Sequence, residues 1–402
     1  MSDFYQTGVV TTLHRLGSPK LDGLENDLRR FSRQRPIALV LPALYSEFKG
    51  EALKGIVAEL KKVDYISQII VSLGQATDEE FENAREFFSA IPYDVKIIHN
   101  DGKRIQEIYS TFDEHDLWVG EDGKGRATWM AYGYIIASGK AQVIAIHDCD
   151  IVTYKREMLA RLCYPVVNPN IDVVFCKGFY SRVSDRMHGR VTRLLITPLI
   201  RSLKKIVGSY DFLEYLDSFR YPLAGEFCMI TDLAWISRIP WDWGLEVGLL
   251  AEVFRNYSPR RVCQVDIADN YEHKHQPLSP DDASKGLTRM CVDISKTIFR
   301  VLAAEGAVFT ESLFNSLDVA YLRFAEDLMA RYEADAKLNG LIYDRHAEAQ
   351  AVEAFTGSIK AAANVFMENP MGTPLIPSWN RFDSAIPGIL GDLKNAVDSD
   401  NK

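Results

Sequence analysis

Two aspartates one residue apart, Asp148 and Asp150, close the run AQVIAIHDCDIV (141–152) just after the apolar Val143, Ile144 and Ile146. Carboxylates that close repel, so the site must supply a positive partner: a metal ion, a lysine or arginine, or a helix terminus. If the strand continues the two side chains share a face; if it ends they flank a turn. Either arrangement suits Mg²⁺, which takes one or two protein carboxylates and completes its shell with phosphates and water. A helix N-cap at Asp150, with Asp148 paired to a lysine, fits the spacing equally well. Upstream, EDGKGRATWM (121–130) places Lys124 between two glycines at a helix start, where a cation and free amides can meet an anion. GKG lacks P-loop spacing, and a solvated lysine on a surface loop is the alternative. Glu226 lies between a glycine and an apolar run in LAGEFCMI (223–230). In WDWGLEVGLLAEVF (241–254), Gly244 and Glu246 open an apolar helix. Glu246 can complement the helix dipole or accept hydrogen bonds from sugar hydroxyls. NYEHKHQPL (270–278) carries His273 and His275, read either as metal ligands or as a surface turn.

The elements that must position these residues alternate. PIALVLPAL (36–44) is fully apolar, and EALKGIVAELKKV (51–63) sets Leu53, Ile56, Val57 and Leu60 at helical spacing. SQIIVSLG (67–74) reads as a second strand. TDEEFENAREFFSAI (77–91) reads as a helix with a Thr77/Glu80 capping box, and DVKIIHN (94–100) as a third strand. ATWMAYGYIIASG (127–139) is a helix leading into the AQVIAIHDCD strand. This order predicts an α/β fold with a largely parallel sheet covered on both faces. Ligands of such sheets sit at the strands' carboxyl ends, where PALYSE, SLGQ and DCD converge. After about residue 280 the pattern turns helical, in MCVDISKTIFRVLAAEG, SLDVAYLRFAEDLMARYEADAKLNG and EAQAVEAFTGSIKAAANVFME. The polar C-terminal tail is expected to fray.

Of the 402 residues, 47% are hydrophobic and 25% charged, enough for a substantial core. The net charge of −9 argues against sequence-independent nucleic-acid binding; RRFSRQR (29–35) reads as a solvated approach to a strand. Six scattered cysteines without a CxxC pair point to buried free thiols in a reducing compartment. No N-terminal signal pattern is evident, and the apolar runs are shorter than the ~20 residues a bilayer span needs. A soluble, cytoplasmic protein with no membrane partner is expected.

The order of the motifs, PAL…E, GKGxA, DxD, AGE, WGxExG and EH, resembles retaining glycosyltransferases of the GT-A type. With GRVTRLLITPL (189–199), similar to an acceptor segment GRVTxxxxxPL, it resembles the glucosyl-3-phosphoglycerate synthases and the related mannosyl enzymes of glycosyltransferase family 81. The resemblance spans about residues 1–300, including DFYQTGVVTTLHRLG at the start. It implies a GT-A fold over 1–280, with a nucleotide-sugar half over about 36–150 and an acceptor half over 151–280. The helical region 281–402 would cover the acceptor site, form a homodimer interface, or both. Pro42, Ala43, Leu44 and Glu47 would then hold uridine and ribose, with Ser72 at the second strand end. Lys124 would neutralise phosphate or touch the donor sugar, Asp148 and the adjoining Cys149 would lie along the donor, and Glu226 and Glu246 would meet its sugar. Asp150 and His273 would ligate Mg²⁺ (or Mn²⁺). Gly189, Arg190, Val191 and Thr192 would bind the acceptor's anionic end together with His275. The implied reaction moves glucose from UDP-glucose to the 2-hydroxyl of 3-phospho-D-glycerate with retention, by a front-side path that needs no enzymic nucleophile. His273-Lys274-His275 departs from the family's HRN turn, whose asparagine helps bind the acceptor phosphate. The chain is also longer than compact members and nearer in length to the mannosylglycerate synthases. Unphosphorylated D-glycerate as acceptor and GDP-mannose as donor are therefore the alternatives. A sugar-nucleotide-binding regulatory protein without turnover is the reading from another class, opposed by the intact Lys124, Asp148, Asp150, Glu246 and His273.

Overall fold

The computed structural model describes residues 6, 8–17, 20–272, 286–372 and 375–402. Its eight strands are β1 (Thr11–Leu13), β2 (Ile37–Leu44), β3 (Gln68–Gly74), β4 (Val95–His99), β5 (Val143–Ile146), β6 (Phe175–Tyr180), β7 (Phe227–Ile230) and β8 (Val262–Ala268). They form one sheet in the order β1-β8-β6-β7-β5-β2-β3-β4. Every pairing is parallel except the two made by β7. The carboxyl ends of the seven parallel strands and the amino end of β7 therefore share one edge of the sheet. Ile146 ends β5 opposite Val40, while β2 runs on to Leu44. Asp148 and Asp150 thus follow the strand in a turn, filling the notch that the shorter strand leaves.

Strands buried on both faces explain the continuous apolar runs. Along β2, Ile37, Leu39 and Leu41 pack on one face with Leu53, Ile56 and Leu60 of the helix Glu51–Leu60, and with Phe81 of Asp78–Phe88. That second helix opens with the expected box: Glu80 N–H donates to Thr77 Oγ1 (3.3 Å), and Thr77 N–H to Glu80 Oε2 (2.9 Å). Ala38 and Val40 point to the other face, where Trp129 and Ile135 of the helix Lys124–Ser138 cover them. That helix starts three residues before the expected boundary, with Lys124 as its first residue.

The C-terminal helices Gly286–Ala304, Glu311–Leu338, Arg345–Glu368, Trp379–Ala385 and Ile389–Asp400 add their apolar faces to this second layer. The expected boundary near residue 280 lies outside the described residues. Trp379 stacks on Trp129 at 4.0 Å and donates from Nε1 to the Trp129 carbonyl (2.8 Å). The tail departs from its expected fraying. Ile389, Leu393 and Val397 recur every fourth residue and are buried, and beyond them Asn401 hydrogen-bonds both backbone groups of Ile97. Asp398 and Asn401 meet polar partners on the neighbouring elements, Tyr134 and Ile97, which composition alone does not reveal. All six cysteines are buried free thiols. No helix among the described residues is long and apolar enough to cross a membrane.

Candidate active site

Lys124, Asp148 and Glu246 meet at the polar edge of the sheet. Lys124 Nζ lies 2.7 Å from Asp148 Oδ1 and 3.2 Å from Glu246 Oε1. A lysine at a helix N-terminus faces the unfavourable end of the dipole, and burial further disfavours its charge. The two carboxylates outweigh both effects and hold its pKa above the ordinary lysine range. Glu246, in the first turn of Leu245–Asn256, is favoured by that helix's dipole. The loop before it is pinned by Asp242, which accepts from Gly244 N–H (2.9 Å) and from Lys296 Nζ (3.1 Å) of the helix Gly286–Ala304. Of the two readings open for Asp148, the lysine pair is present; it leaves Asp148 about a third exposed, beside Asp150.

Close packing explains the glycines. A Cβ on Gly125 would strike the Pro240 carbonyl, and one on Gly123 would come 2.8 Å from the Trp241 carbonyl. The GKG and WDWG motifs are thus two sides of one contact, which sets the first turn of the lysine's helix against the loop leading to Glu246. A Cβ on Gly225 would strike Asp148 Oδ2 and lie 2.8 Å from Lys124 Nζ. Only glycine lets the chain entering β7 pass there.

The next residue, Glu226, is fully buried and accepts from Tyr180 OH (2.8 Å) and Tyr271 OH (2.5 Å), whose rings stack at 3.7 Å. Burial and the neighbouring Asp148 push its pKa up to about 6, against the pull of the two phenols and Lys124. Tyr180 meets Tyr221 edge to face at 5.0 Å. Tyr221 in turn accepts from Arg182 Nη1 (3.1 Å), on the side of the ring that faces Thr192. An aromatic bridge therefore leads from the buried Glu226 carboxylate through Tyr180 and Tyr221 toward the GRVT segment.

Pro42 and the buried Ala43 lie in the last turn of β2, Leu44 is exposed at its end, and Glu47 sits in the 3₁₀ turn Tyr45–Lys49. Ser72 is buried in β3; its hydroxyl donates to the Ala127 carbonyl (2.8 Å) and accepts from Asn100 (3.0 Å), anchoring the helix that carries Lys124. Cys149 is buried between the aspartates, and burial with both charges pushes its thiol up. His273 and His275 lie outside the described residues. Their preceding neighbour Glu272 is fastened beside the aspartate turn: its carbonyl accepts from Val152 N–H (2.8 Å) and its N–H donates to Thr153 Oγ1 (3.1 Å). Among the described residues, no group of three or more His, Cys, Asp or Glu side chains could hold a metal by itself.

Gly189 adopts φ +74°, and Val191–Ile196 form a π-helical turn. Arg190 Nε donates to Glu348 Oε1 (2.9 Å), and Arg193 Nη1 to Glu348 Oε2 (2.7 Å). Glu348 is buried on the helix Arg345–Glu368. Tyr321 of the helix Glu311–Leu338 donates to the Leu194 carbonyl (2.6 Å), and Tyr332 of the same helix stacks under Arg193 at 5.0 Å.

Sequence reasoning missed Tyr180, Tyr221, Tyr271, Gly225 and Glu348. The carboxyl-end rule reaches Tyr180 at the end of β6 and Tyr271 just past β8; nothing in the spacing singles out Glu348.

No protein-family model matches the chain. It is 49% identical over 401 residues to the glucosyl-3-phosphoglycerate synthase of Persephonella marina, covering 100% of this chain and 99% of that one. To the protein of the same name from Methanococcoides burtonii it is 38% identical over 405 residues, covering 100% and 98%. A solved structure of glucosyl-3-phosphoglycerate synthase from Mycobacterium tuberculosis, in complex with Mn²⁺, UDP-glucose and phosphoglyceric acid, matches with a TM-score of 0.54. That match covers 75% of this chain and 89% of the other at 20% identity, a likeness of fold alone. The sheet is that of a GT-A transferase, and the motifs around Lys124, Asp148 and Glu246 lie within full-length relatives of one name: the chain belongs to the glucosyl-3-phosphoglycerate synthase family.

Proposed function

We propose that the chain transfers glucose from UDP-glucose to the 2-hydroxyl of 3-phospho-D-glycerate, with retention at the anomeric carbon. The observation that carries this reading is the aromatic bridge, which leads from Glu226, beside Asp148, through Tyr180 and Tyr221 toward the GRVT segment. It sets a site rich in sugar-hydroxyl acceptors next to one rich in arginine, as a sugar donor and an anionic acceptor require. The full-length likeness to relatives named for this product supports the same reading.

On this reading Lys124 stabilises the negative charge that builds on the departing diphosphate, a form of catalysis that preorganised charges supply well. Glu246 and Glu226 accept hydrogen bonds from the glucosyl hydroxyls. Arg190, Thr192 and the neighbouring Arg193 take the acceptor's phosphate, for which guanidinium geometry is suited. Asp150 and His273 would hold Mg²⁺ or Mn²⁺. The oxygen and imidazole donors suit either ion, and the fastening of Glu272 beside the aspartate turn fits that pairing. A bound divalent cation supplies charge neutralisation at the diphosphate. In the transfer, the bond from the anomeric carbon to the diphosphate oxygen breaks, the bond to the acceptor's 2-oxygen forms on the same face, and the hydroxyl proton passes to the leaving diphosphate. Holding both substrates in one cleft contributes through orientation. The helices after residue 286 serve this reading as the brace of the acceptor segment.

The test is UDP release by the purified protein with Mg²⁺ and UDP-glucose, comparing 3-phospho-D-glycerate with D-glycerate, followed by NMR of the product's anomeric proton. Turnover with phosphoglycerate and an α-linked product are expected. Turnover with D-glycerate alone would move the acceptor assignment to the altered His273-Lys274-His275 turn. Silence with both acceptors, from UDP-glucose and from GDP-mannose, would overturn the reading.

A further inference from the structure

Lys177 stands in the middle of β6, in FCKGFY, and is 1% exposed. A charged side chain there breaks the apolar run of a strand buried on both faces. Its ammonium has no hydrogen-bond partner and lies 5.2 Å from the centre of the Phe227 ring. A buried, unpaired cation is strongly unfavourable for folding, so an apolar residue of similar length would stabilise this position. The charges around it are those of the site described above: Glu246 foremost, then Lys124, Glu226 and Asp148. Burial and Lys124 drive its pKa down, to about 8, while the three carboxylates oppose them. The hydroxyl of Tyr132 on the helix Lys124–Ser138 is also buried without a hydrogen-bond partner, in the field of Lys124 and Glu246. Three carboxylates converge at this edge of the sheet, and Lys124 alone cannot balance them.

We propose that Lys177 is a positioning residue of the donor-sugar site, a second buried cation whose charge offsets the carboxylate cluster and so keeps Glu246 set for the sugar hydroxyls while Lys124 engages Glu246 Oε1. This rests on the reading of Glu246 given under the proposed function. Lys177 acts through Glu246 rather than on the nucleotide, so its removal should weaken recognition of the sugar and leave the nucleotide's affinity intact.

The experiment is calorimetric titration of UDP-glucose and of UDP, with Mg²⁺, into the parent protein, K177M, E246Q and the double variant, together with their thermal midpoints. In K177M the Kd for UDP-glucose should rise about tenfold, the Kd for UDP should stay within twofold, and the midpoint should hold or rise. In the E246Q background, K177M should change the Kd for UDP-glucose less than threefold, because the coupled partner is already lost. An unchanged Kd for UDP-glucose in K177M would overturn the inference. So would an equal loss of UDP affinity, which marks a merely structural role, or a full tenfold effect persisting in E246Q. Failure of the parent protein to bind UDP-glucose would instead overturn the functional reading, and the inference with it.

Discussion

Lys124, Asp148, Glu226 and Glu246 come from four separate stretches of chain, yet they touch one another or a shared neighbour at the edge of one sheet. Arg190, at the start of a π-helical turn, and Arg193 within it sit together, yet their common partner Glu348 comes 158 residues after Arg190, from a helix outside the sheet. In the first cluster, proposed to take the donor, the strand ends deliver the charges, and glycines at 123, 125 and 225 let them close up. In the second, proposed to take the acceptor, the GRVT segment supplies the charges and the C-terminal helices supply the geometry. The first kind of site can be read from where polar residues interrupt apolar runs. The second depends on contacts that only the folded chain brings together.

Removing the shared cation tests the donor side most severely. Lys124→Met leaves Asp148 and Glu246 without the ammonium they share and, on the proposed reading, strips the diphosphate of its protein cation. Turnover measured by UDP release should fall about 10³-fold, the scale found when a preorganised charge-stabilising group is lost. A fall of less than tenfold would mean that the donor cluster does not act as the unit described.

Glu226 offers a test by pH. Its pKa of about 6 stands above the ordinary value of 4.5, so between those values the folded chain keeps a proton that the unfolded chain has released. Stability from this group is therefore present below pH 4.5 and is lost as pH rises through 6, by about 2 kcal/mol for a shift of this size. Urea midpoints of the parent protein and Glu226→Gln, compared from pH 4 to 7, should diverge over that window, with the variant gaining relative to the parent as pH rises. A constant difference across the window would show that the buried site does not perturb Glu226.

The acceptor side is tested by Glu348→Gln, which keeps the side chain's shape and removes its charge. Arg190 and Arg193 lose the partner that fixes them, so the KM for 3-phosphoglycerate should rise about tenfold, near the 1.4 kcal/mol of one lost charge-assisted hydrogen bond. The KM for UDP-glucose should move less than twofold. A lower acceptor KM would break the comparison, since Glu348 would then compete with the acceptor for the arginines.

The clustering of Lys124, Asp148 and Glu246 was partly legible for a physical reason. A carboxylate or lysine at the end of a buried strand, or in the first turn of an apolar helix, marks a polar strand end, although capping, dipole and surface-loop readings fit the same spacing. The sheet was legible likewise, because β2 and β3 are apolar on both faces and the Thr77/Glu80 box marks a helix start unambiguously. Glu348 carries no such mark: in EAQAVEAF it is one polar residue of an amphipathic helix, and its burial follows from which face meets the acceptor segment. Lys177 is the opposite case, a charge within the apolar run of β6 that the pattern exposes and that apolar periodicity alone passes over. The tyrosines stacked around Glu226 lie between, placed by the strand-end rule but joined only through the pairing of β6 with β8.

The smallest effect concerns the far edge of the sheet, where the tail and not the site is at stake. β4 is an outer strand, and an unpaired strand edge is a template for association with other chains. Asn401 occupies part of that edge as a strand would: its carbonyl oxygen accepts from Ile97 N–H (2.9 Å) and its amide donates to the Ile97 carbonyl (2.8 Å). The amide also caps its own helix through the Val397 carbonyl (2.8 Å). Asn401→Ala removes these bonds while leaving Ile389, Leu393 and Val397 to hold the helix in place. The expected loss is about 1 kcal/mol in a urea titration, the net worth of such bonds where water can replace them. Turnover should be unchanged, and light scattering near the unfolding midpoint should rise earlier than in the parent protein. Equal stability would mean that the apolar face of the last helix alone docks the tail. A loss of turnover would instead couple this edge to the site through the helix that carries Lys124, whose Tyr134 donates to Asp398 (2.8 Å) of the last helix.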